Sequence, residues 1–425
     1  MKILWVKAER LFPVHNGGNI RSYHIARSLT QAHDVTFLSY YGGSRDVGYE
    51  AELRQHFPHA VCVCTGASKT SAVRRALDYL FHLPARAPYA VSRFASAVVQ
   101  EQLAVWFQQQ AFDVAVCDFL DAAINFPQRL TMPTVLFQHN VESEIWRRHS
   151  EASSNIGMRP VYKLEAQKML RYEESVVRRF HHVIAVSEHD RKLMSRWVDP
   201  QRITVVPTGV DLESFHPCAQ SSGKPLVLFV GAMDWEPNVD AVEYFCAQVW
   251  PEVKKAVPAA EFRIVGRNPG RRVLRLTSDS VSVTGSVTSV QTHLEEAAVV
   301  VVPLRIGGGT RLKIYEAMAM GKAVVSTSVG AEGLDVHDGR DIVLADEPGA
   351  FAQAVKILLQ DAELRRRYGR AAIDLARRYD WPEISRQFAE VLEETAGAKR
   401  KLAEANAPHM QETAALGGFY GERGR

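Results

Sequence analysis

No stretch of the chain holds about 18 consecutive apolar residues, so the sequence offers no membrane span. The opening MKILWVKAERLF has too short an apolar run, with charge inside it, to read as a secretory signal. Cysteine is scarce: five residues, an odd number without framework spacing, which excludes a disulfide scaffold and fits a reducing compartment. Cys62 and Cys64 alternate along an expected strand, a poor arrangement for zinc. Charge of either sign is nearly balanced, and a net +3 is too small to imply nucleic acid. Missing too is a G-x-G-x-x-G turn after the first strand with an acidic residue ending the next, which sets aside a dinucleotide-dependent oxidoreductase. What remains is a 425-residue chain, 46% hydrophobic and 23% charged, with room for two or three domains and an expected cytoplasmic location.

The most informative stretch is VVVVPLRIGGGTRLKIYEAMAMGKAVV, Val299 to Val325. Four β-branched residues, Val299 to Val302, predict a buried parallel strand stopped by Pro303. Gly307, Gly308 and Gly309 precede Thr310, a good N-cap, and a helix from Arg311 to Met320 with Gly321 as its C′ residue. A helix start behind three glycines presents backbone N–H groups that no Cβ shields, and its dipole favours an anion. Arg311 and Lys313 sit in that first turn, where cations are disfavoured by roughly 0.3–1 kcal/mol. Two cations placed badly for the helix are placed well for a diphosphate. Glu316, one turn on, is suited to accept hydrogen bonds from sugar hydroxyls.

Along the rest of the chain β and α signals alternate. Ile3–Lys7 reads as a strand, followed by Gly17 and Gly18 just before a helix of about a dozen residues. That is a second glycine turn able to face phosphate, with Arg21 one turn inside it as either a phosphate ligand or a solvated residue. Residues 69–110 interleave basic and aromatic side chains, among them Arg86, Tyr89, Arg93, Phe94 and Trp106. They suit either amphipathic helices covering a sheet or a flank for an acceptor or a membrane surface. Thr134–Gln138 is a short strand with His139, Asn140, Glu142 and Glu144 at its carboxyl end, where ligands bind in open α/β sheets. PTGVDLESFHP (Pro207 to Pro217) has the punctuation of a linker. The same grammar restarts at Leu226–Val230 with the loop GAMDWEPN, and a helix is predicted from about Val239 to Val257.

The expected architecture is two doubly wound, Rossmann-like α/β domains facing each other across a cleft. Residues 1–215 form the first and 216–380 the second. A helix over 381–395 follows, with a crossing back to the first domain as one option, and 396–425 is expected to be a mobile tail.

The segments VVPTGVDLESFHP, FVGAMDWEPNVDAVEYF, FRIVG, VTGSV and GGGTRLKIYEAMAMGKAVVST together resemble the retaining glycosyltransferases of family 4, the group 1 transferases of GT-B fold, over roughly residues 1–395. The GGGTRLK form resembles a branch of bacterial transferases linked to exopolysaccharide or surface glycans. The resemblance implies that the second domain binds a nucleotide-sugar donor and the first binds a glycan or lipid-linked acceptor. By the same resemblance Gly17 and Gly18 approach the donor diphosphate, His139 lies near the transferred sugar, and Glu316 holds the ribose. Arg267, Ser286 and Val287 are then candidates to frame the nucleobase. Two positions depart from the family pattern: its first carboxylate, eight residues before Glu316, is Gly308 here, and its usual cations after the first strand of the second domain are absent from GAMDWEPN. Arg311 and Lys313 are read as supplying that charge, with the Gly308, Gly309 and Thr310 amides, so that no metal is required. No D-x-D stands in a suitable loop to hold one. Retention of anomeric configuration is implied by the resemblance alone. Peripheral contact with the inner membrane surface fits a lipid-linked acceptor. The alternatives are a GT-B sugar-nucleotide epimerase or phosphorylase, and an inactive nucleotide-sugar-binding subunit, which the missing carboxylate would favour.

Overall fold

A computed structural model describes residues 1–14, 16–66, 78–152, 158–217, 223–306 and 312–405. Gly308, Gly309, Thr310 and Arg311, on which part of the sequence reading depends, lie outside them. The first sheet contains β1 (Lys2–Ala8), β2 (Asp34–Tyr41), β3 (Val61–Cys64), β4 (Val114–Asp118), β5 (Thr134–Phe137), β6 (His182–Ala185) and β7 (Ile203–Val205). The second contains β8 (Leu226–Val230), β9 (Glu261–Val265), β10 (Val281–Val283), β11 (Val299–Val302), β12 (Ala323–Ser326) and β13 (Val343–Leu344). Every pairing within them is parallel. The first runs β3-β2-β1-β4-β5-β6-β7 and the second β10-β9-β8-β11-β12-β13, so both reverse direction beside their first strand. Parallel sheets covered on both faces need strands that are apolar throughout, and β4, β5, β11 and β12 are buried at every residue.

Reversal of strand order opens a crevice at the carboxyl ends, between β1 and β4 in one half and between β8 and β11 in the other. Those two places position the residues discussed below.

The last helix, Trp381–Ala405, packs against the first half of the chain. The Phe388 ring lies 5.5 Å from Trp5 and 5.0 Å from Phe137, and the Trp381 ring stacks on His24 at 4.8 Å. A Cβ on Gly209 would meet the Trp381 ring at 2.5 Å, which explains a glycine in PTGV. Val210 N–H donates to the Tyr379 carbonyl at 2.7 Å, so the segment read as a linker is tied down at its start. The helix also outruns its predicted end near Glu394 and reaches Ala405, because KRKLAEA supplies helix formers and no proline stops it.

Two other differences have local causes. The helix expected over Val239–Val257 is three pieces, Glu236–Tyr244, a wide π-type turn Phe245–Val249, and Trp250–Ala256. Pro251 lacks an N–H, and the ladder changes register just before it. In the basic and aromatic stretch, helix Ala97–Gln109 buries Val99, Leu103 and Phe107, so there the covering-helix reading holds. Residues 69–77 of that stretch lie outside the described residues.

Candidate functional site at the two crossover points

The glycines Gly17 and Gly18 are the first two residues of helix Gly17–Leu29, rather than standing before it, with Asn16 as N-cap accepting from Asn19 N–H at 2.8 Å. They differ sharply in surroundings. A Cβ on Gly17 would meet nothing within 4 Å, whereas one on Gly18 would lie 2.4 Å from Cζ of Phe119. Phe119 itself sits at φ 72° and ψ 154°, a region that L side chains seldom occupy. Its ring stacks on His139 at 3.7 Å with the planes 1° apart.

His139 is fully buried. Its Nε2 is 2.7 Å from Asp118 Oδ1, and Arg21 Nε donates to its Nδ1 at 3.1 Å. Since a guanidinium only donates, Nδ1 must be bare and the proton must sit on Nε2. Burial pushes the His139 imidazole down to about 3, so it stays neutral with one fixed tautomer. Asp118 holds the centre: it also accepts from Lys7 Nζ at 3.2 Å and Trp5 Nε1 at 3.0 Å. Burial alone would raise this carboxyl, but Lys7, His139 and Ser22 together hold it below the usual carboxylate range. Arg21, read as a phosphate ligand or a solvated residue, is neither. It is buried, and its Nη1 donates to Thr208 at 2.8 Å. Burial lowers it to about 10. The crossover of the first half is thus a buried network in which Lys7 pairs with Asp118, Arg21 and Asp118 hold His139 from either side, and the Phe119 ring covers the imidazole.

The polar residues after His139 form a helix start. The buried Glu173 carboxylate accepts from the Glu142 and Ser143 N–H groups, both at 2.9 Å, and from Gln138 Nε2 at 2.8 Å. Burial, with Asp121 and Glu173 nearby, pushes Glu142 up to about 8. Glu144 is drawn down to about 2 by hydrogen bonds from Arg147 and Arg148.

In the second half three loops are laid together after β8, β9 and β10. Gly231 N–H donates to Val265 O at 2.9 Å, Met233 N–H to Arg267 O at 2.9 Å, and Gly266 N–H to Gly285 O at 3.3 Å. Any Cβ on Gly266 would sit 1.7 Å from Gly231 O, so backbone approach here demands glycine. Gly285 has φ 72°, turning the chain into Ser286, which is exposed, and Val287, which packs against the core. The Arg267 side chain is 38% exposed and lies 3.8 Å from Asp234, yet its Nε is shielded and has no hydrogen-bond partner among the described residues.

Lys313 and Glu316 lie on helix Leu312–Ala319. Lys313 reaches back to the end of β8: its Nζ donates to Asn238 Oδ1 at 3.0 Å and lies 4.5 Å from the Phe229 ring centroid. A Cβ on Gly231 would be 2.7 Å from that nitrogen. The ammonium therefore occupies the crevice between β8 and β11, as an anion bound there would need. Burial pushes the half-buried Glu316 up to about 7, against the pull of Lys313. Among the described residues no three His, Cys, Asp or Glu side chains are grouped as a metal ion would require.

The residues that the sequence reading passed over are Asp118, Lys7, Phe119, Thr208 and Asn238. Two of them had a signal. Lys7 interrupts the apolar run of β1, and Asp118 ends the apolar run of β4 at a carboxyl end, where polar residues carry most information.

The halves meet at a small polar contact. Arg148 donates through both Nη atoms to Glu332, each at 3.0 Å, and His189 lies 3.7 Å from the same carboxylate. Gly333, at φ 81°, faces Ser187.

Comparison with known proteins agrees with this architecture. A model described as Glycosyltransferase Family 4 matches residues 15–214, and one described as Glycosyl transferases group 1 matches 224–361. A phosphatidyl-myo-inositol mannosyltransferase of Mycolicibacterium smegmatis is 30% identical over 254 residues, 57% of this chain and 64% of the relative. That of Mycobacterium tuberculosis is 29% identical over 239 residues, 52% and 62%. The chain thus spans a little over six-tenths of the length of these two relatives. Among solved structures, HepE of Anabaena in complex with UDP has a TM-score of 0.65 at 16% identity, covering 93% of this chain and 100% of HepE. A glycosyltransferase of Rickettsia africae gives 0.62 at 14% identity, covering 93% and 98%. At such identities these structures speak for the fold alone. By architecture across both sheets the chain has the GT-B fold, and each of its halves is similar in sequence to a glycosyltransferase domain, family 4 in the first and group 1 in the second.

Proposed function

We propose that the protein transfers a sugar from a nucleotide-sugar donor to a glycan or lipid-linked acceptor, with retention of configuration and without a metal ion. The observation that carries the reading is the Lys313 ammonium held in the crevice at the end of β8, beside the three-loop cradle of Gly231, Gly266 and Gly285. Breaking an anomeric C–O bond builds negative charge on the departing diphosphate, and preorganised donors aimed at that charge are the largest source of rate. Lys313 supplies one such donor. Arg311 and the Gly308, Gly309 and Thr310 amides are proposed as the others.

Glu316 would accept from the ribose hydroxyls, and Arg267, whose side chain is 38% exposed, would meet the base or its phosphate with Ser286 and Val287 alongside. Gly17 is open enough for a diphosphate oxygen to approach its amide. His139 is assigned an indirect part: neutral and fixed between Asp118 and Arg21, it holds Phe119 and the β5 turn in place. Same-face attack by the acceptor is the route proposed for retention. The UDP and UDP-glucose complexes of HepE support a nucleotide-sugar as donor, and the mannosyltransferase relatives support a lipid-linked acceptor. A role in surface-glycan assembly at the inner face of a membrane is consistent with both.

The test is a melting-temperature screen over nucleoside diphosphates and their sugars, since a ligand that binds only the folded chain raises the midpoint by mass action. The ligand that gives a shift is then assayed for nucleoside diphosphate release with and without an acceptor extract. Acceptor-dependent release supports transfer. Release without any acceptor points to the epimerase or phosphorylase reading, and binding without release points to an inactive subunit.

A further inference from the structure

Beside the contact between the halves, helix Glu142–Ala152, helix Arg159–Arg179 and the segment Leu193–Trp197 enclose an open groove of about 700 Å³. That volume is inside the range of about 300–1,000 Å³ typical of ligand sites. None of the residues assigned to the donor lines it. Its cations are Arg147, Arg159, Lys163 and Arg196, against the carboxylates of Glu144 and Glu151. Both carboxylates are already taken by Arg147, whose two Nη atoms lie 2.6 Å from Glu144 and 2.7 Å from Glu151. Lys163 and Arg196 have no side-chain partner among the described residues and are exposed. The groove therefore presents uncompensated positive charge.

The rest of the lining narrows the ligand. Trp197 and Leu170 give an apolar surface, and Ser150 and Gln167 give hydroxyl and amide groups beside it. An aromatic face, a flanking amide and hydroxyl, and cations are the equipment for sugar rings carrying anionic substituents: a ring's C–H face can lie on the indole, its hydroxyls can meet Gln167 and Ser150, and its acid can meet the cations. The groove also adjoins the narrow cleft between the halves. Val141, Glu144 and Leu193 line both, and that cleft continues to Asn140, the residue after His139, and to the Arg148–Glu332 pair.

We infer that this groove binds an acidic oligosaccharide, the sugars that precede the attacking hydroxyl in the acceptor. The inference rests on the glycosyl-transfer reading and deepens it by naming the acceptor's chemistry. Its consequence is that the enzyme extends an anionic glycan already a few sugars long, rather than a bare lipid.

The experiment uses the full-length chain and an array of di- to tetrasaccharides bearing uronate, phosphate or pyruvate groups, each beside its neutral counterpart. The wild-type chain is expected to retain at least one acidic glycan, with its neutral counterpart bound at least tenfold more weakly. The double variant Lys163→Glu, Arg196→Glu changes two exposed side chains and is expected to lose that binding at least tenfold, while nucleoside diphosphate binding is unchanged. Retention of the acidic glycan by the double variant overturns the proposal. So does an array on which no acidic glycan binds. Vesicles of anionic phospholipid and inorganic phosphate are run as separate arms. Binding to either that depends on Lys163 and Arg196, without glycan binding, overturns it in favour of a lipid surface or a simple anion site. If the wild-type chain binds no nucleoside diphosphate, the transfer reading fails whatever the array shows; if it binds one and the array is empty, only the groove assignment fails.

Discussion

Replacing Lys313 by methionine separates electrostatic from structural roles at the second crossover. Methionine keeps an unbranched stem above Phe229 and removes only the charge and its donors. Among the structural losses are the hydrogen bond to Asn238, worth about 0.5–1.5 kcal/mol, a cation–π contact of about 0.5–2 kcal/mol, partly replaced by sulfur over the ring, and the attraction to Glu316. The melting temperature of Lys313→Met is therefore expected to fall by a few degrees at most. The catalytic loss is expected to be larger. A unit charge about 4 Å from an ammonium near a protein surface interacts by about 4 kcal/mol, and the part realised only as the diphosphate departs falls in the range of about 10²–10³ in kcat found for one lost donor. The assay is initial-rate release of nucleoside diphosphate from the donor found in the melting screen, at saturating substrate, beside calorimetric binding of the diphosphate. A kcat within threefold of wild type, with unchanged diphosphate affinity, refutes the reasoning. Unchanged kcat with weakened binding would move Lys313 to uniform substrate binding.

Glu316 carries a pH prediction linked to the same lysine. Its carboxylate form is the acceptor for ribose hydroxyls, and the folded group titrates near 7, above its ordinary value, because it is buried. Donor affinity should therefore be full above about pH 8 and decline by up to tenfold per unit as pH falls below 7; a flat profile from 5 to 8 counts against the ribose role. Lys313 lowers this pKa, so Lys313→Met should move the decline to higher pH, and Glu316→Gln should abolish it. Gly266→Ala puts a Cβ 1.7 Å from Gly231 O, a backbone clash, and is expected to prevent soluble expression or to lose nucleotide binding; a variant with wild-type affinity would show the three-loop cradle to be misplaced. Asp118→Ala leaves Lys7 buried and unpaired, and an unpaired buried charge costs about 3–5 kcal/mol, measurable by urea unfolding.

The sequence exposed what is local. Four valines ending at a proline marked β11, and the alternation of strands with glycine turns and helices gave two sheets of the same kind. Gly321, read as a C′ residue, does have φ 69°. What stayed hidden joins residues far apart in the chain. Arg21 meets His139 and Thr208 across 118 and 187 positions, and no spacing rule reaches that far. As a result a helix-face arginine that looked solvated or phosphate-facing is a buried strut. Trp381 opens a helix that the sequence shows only as a helix, yet its ring closes against His24 and Gly209 and fastens that helix to the first half. His139 was placed correctly at the end of a strand, but nothing in the sequence reported that Phe119 covers it.

One strand order used twice has produced two different crevices, and the difference follows from which residues end the central strands. In the first half Lys7 and Asp118 end β1 and β4, opposite charges on neighbouring strands at matched register, so they pair with each other and draw in Trp5, Ser22 and His139. A pair so buried is costly to break and has nothing left to offer an anion. In the second half β8 and β11 end in Val230 and Val302, which carry no charge, so the crevice keeps whatever a neighbouring helix sends into it. Helix Leu312–Ala319 sends an ammonium to the end of β8, where it donates to Asn238 Oδ1 and draws on the Glu316 carboxylate of the same helix. The place proposed for the donor's diphosphate is therefore the second crossover, with the first proposed to position the acceptor side.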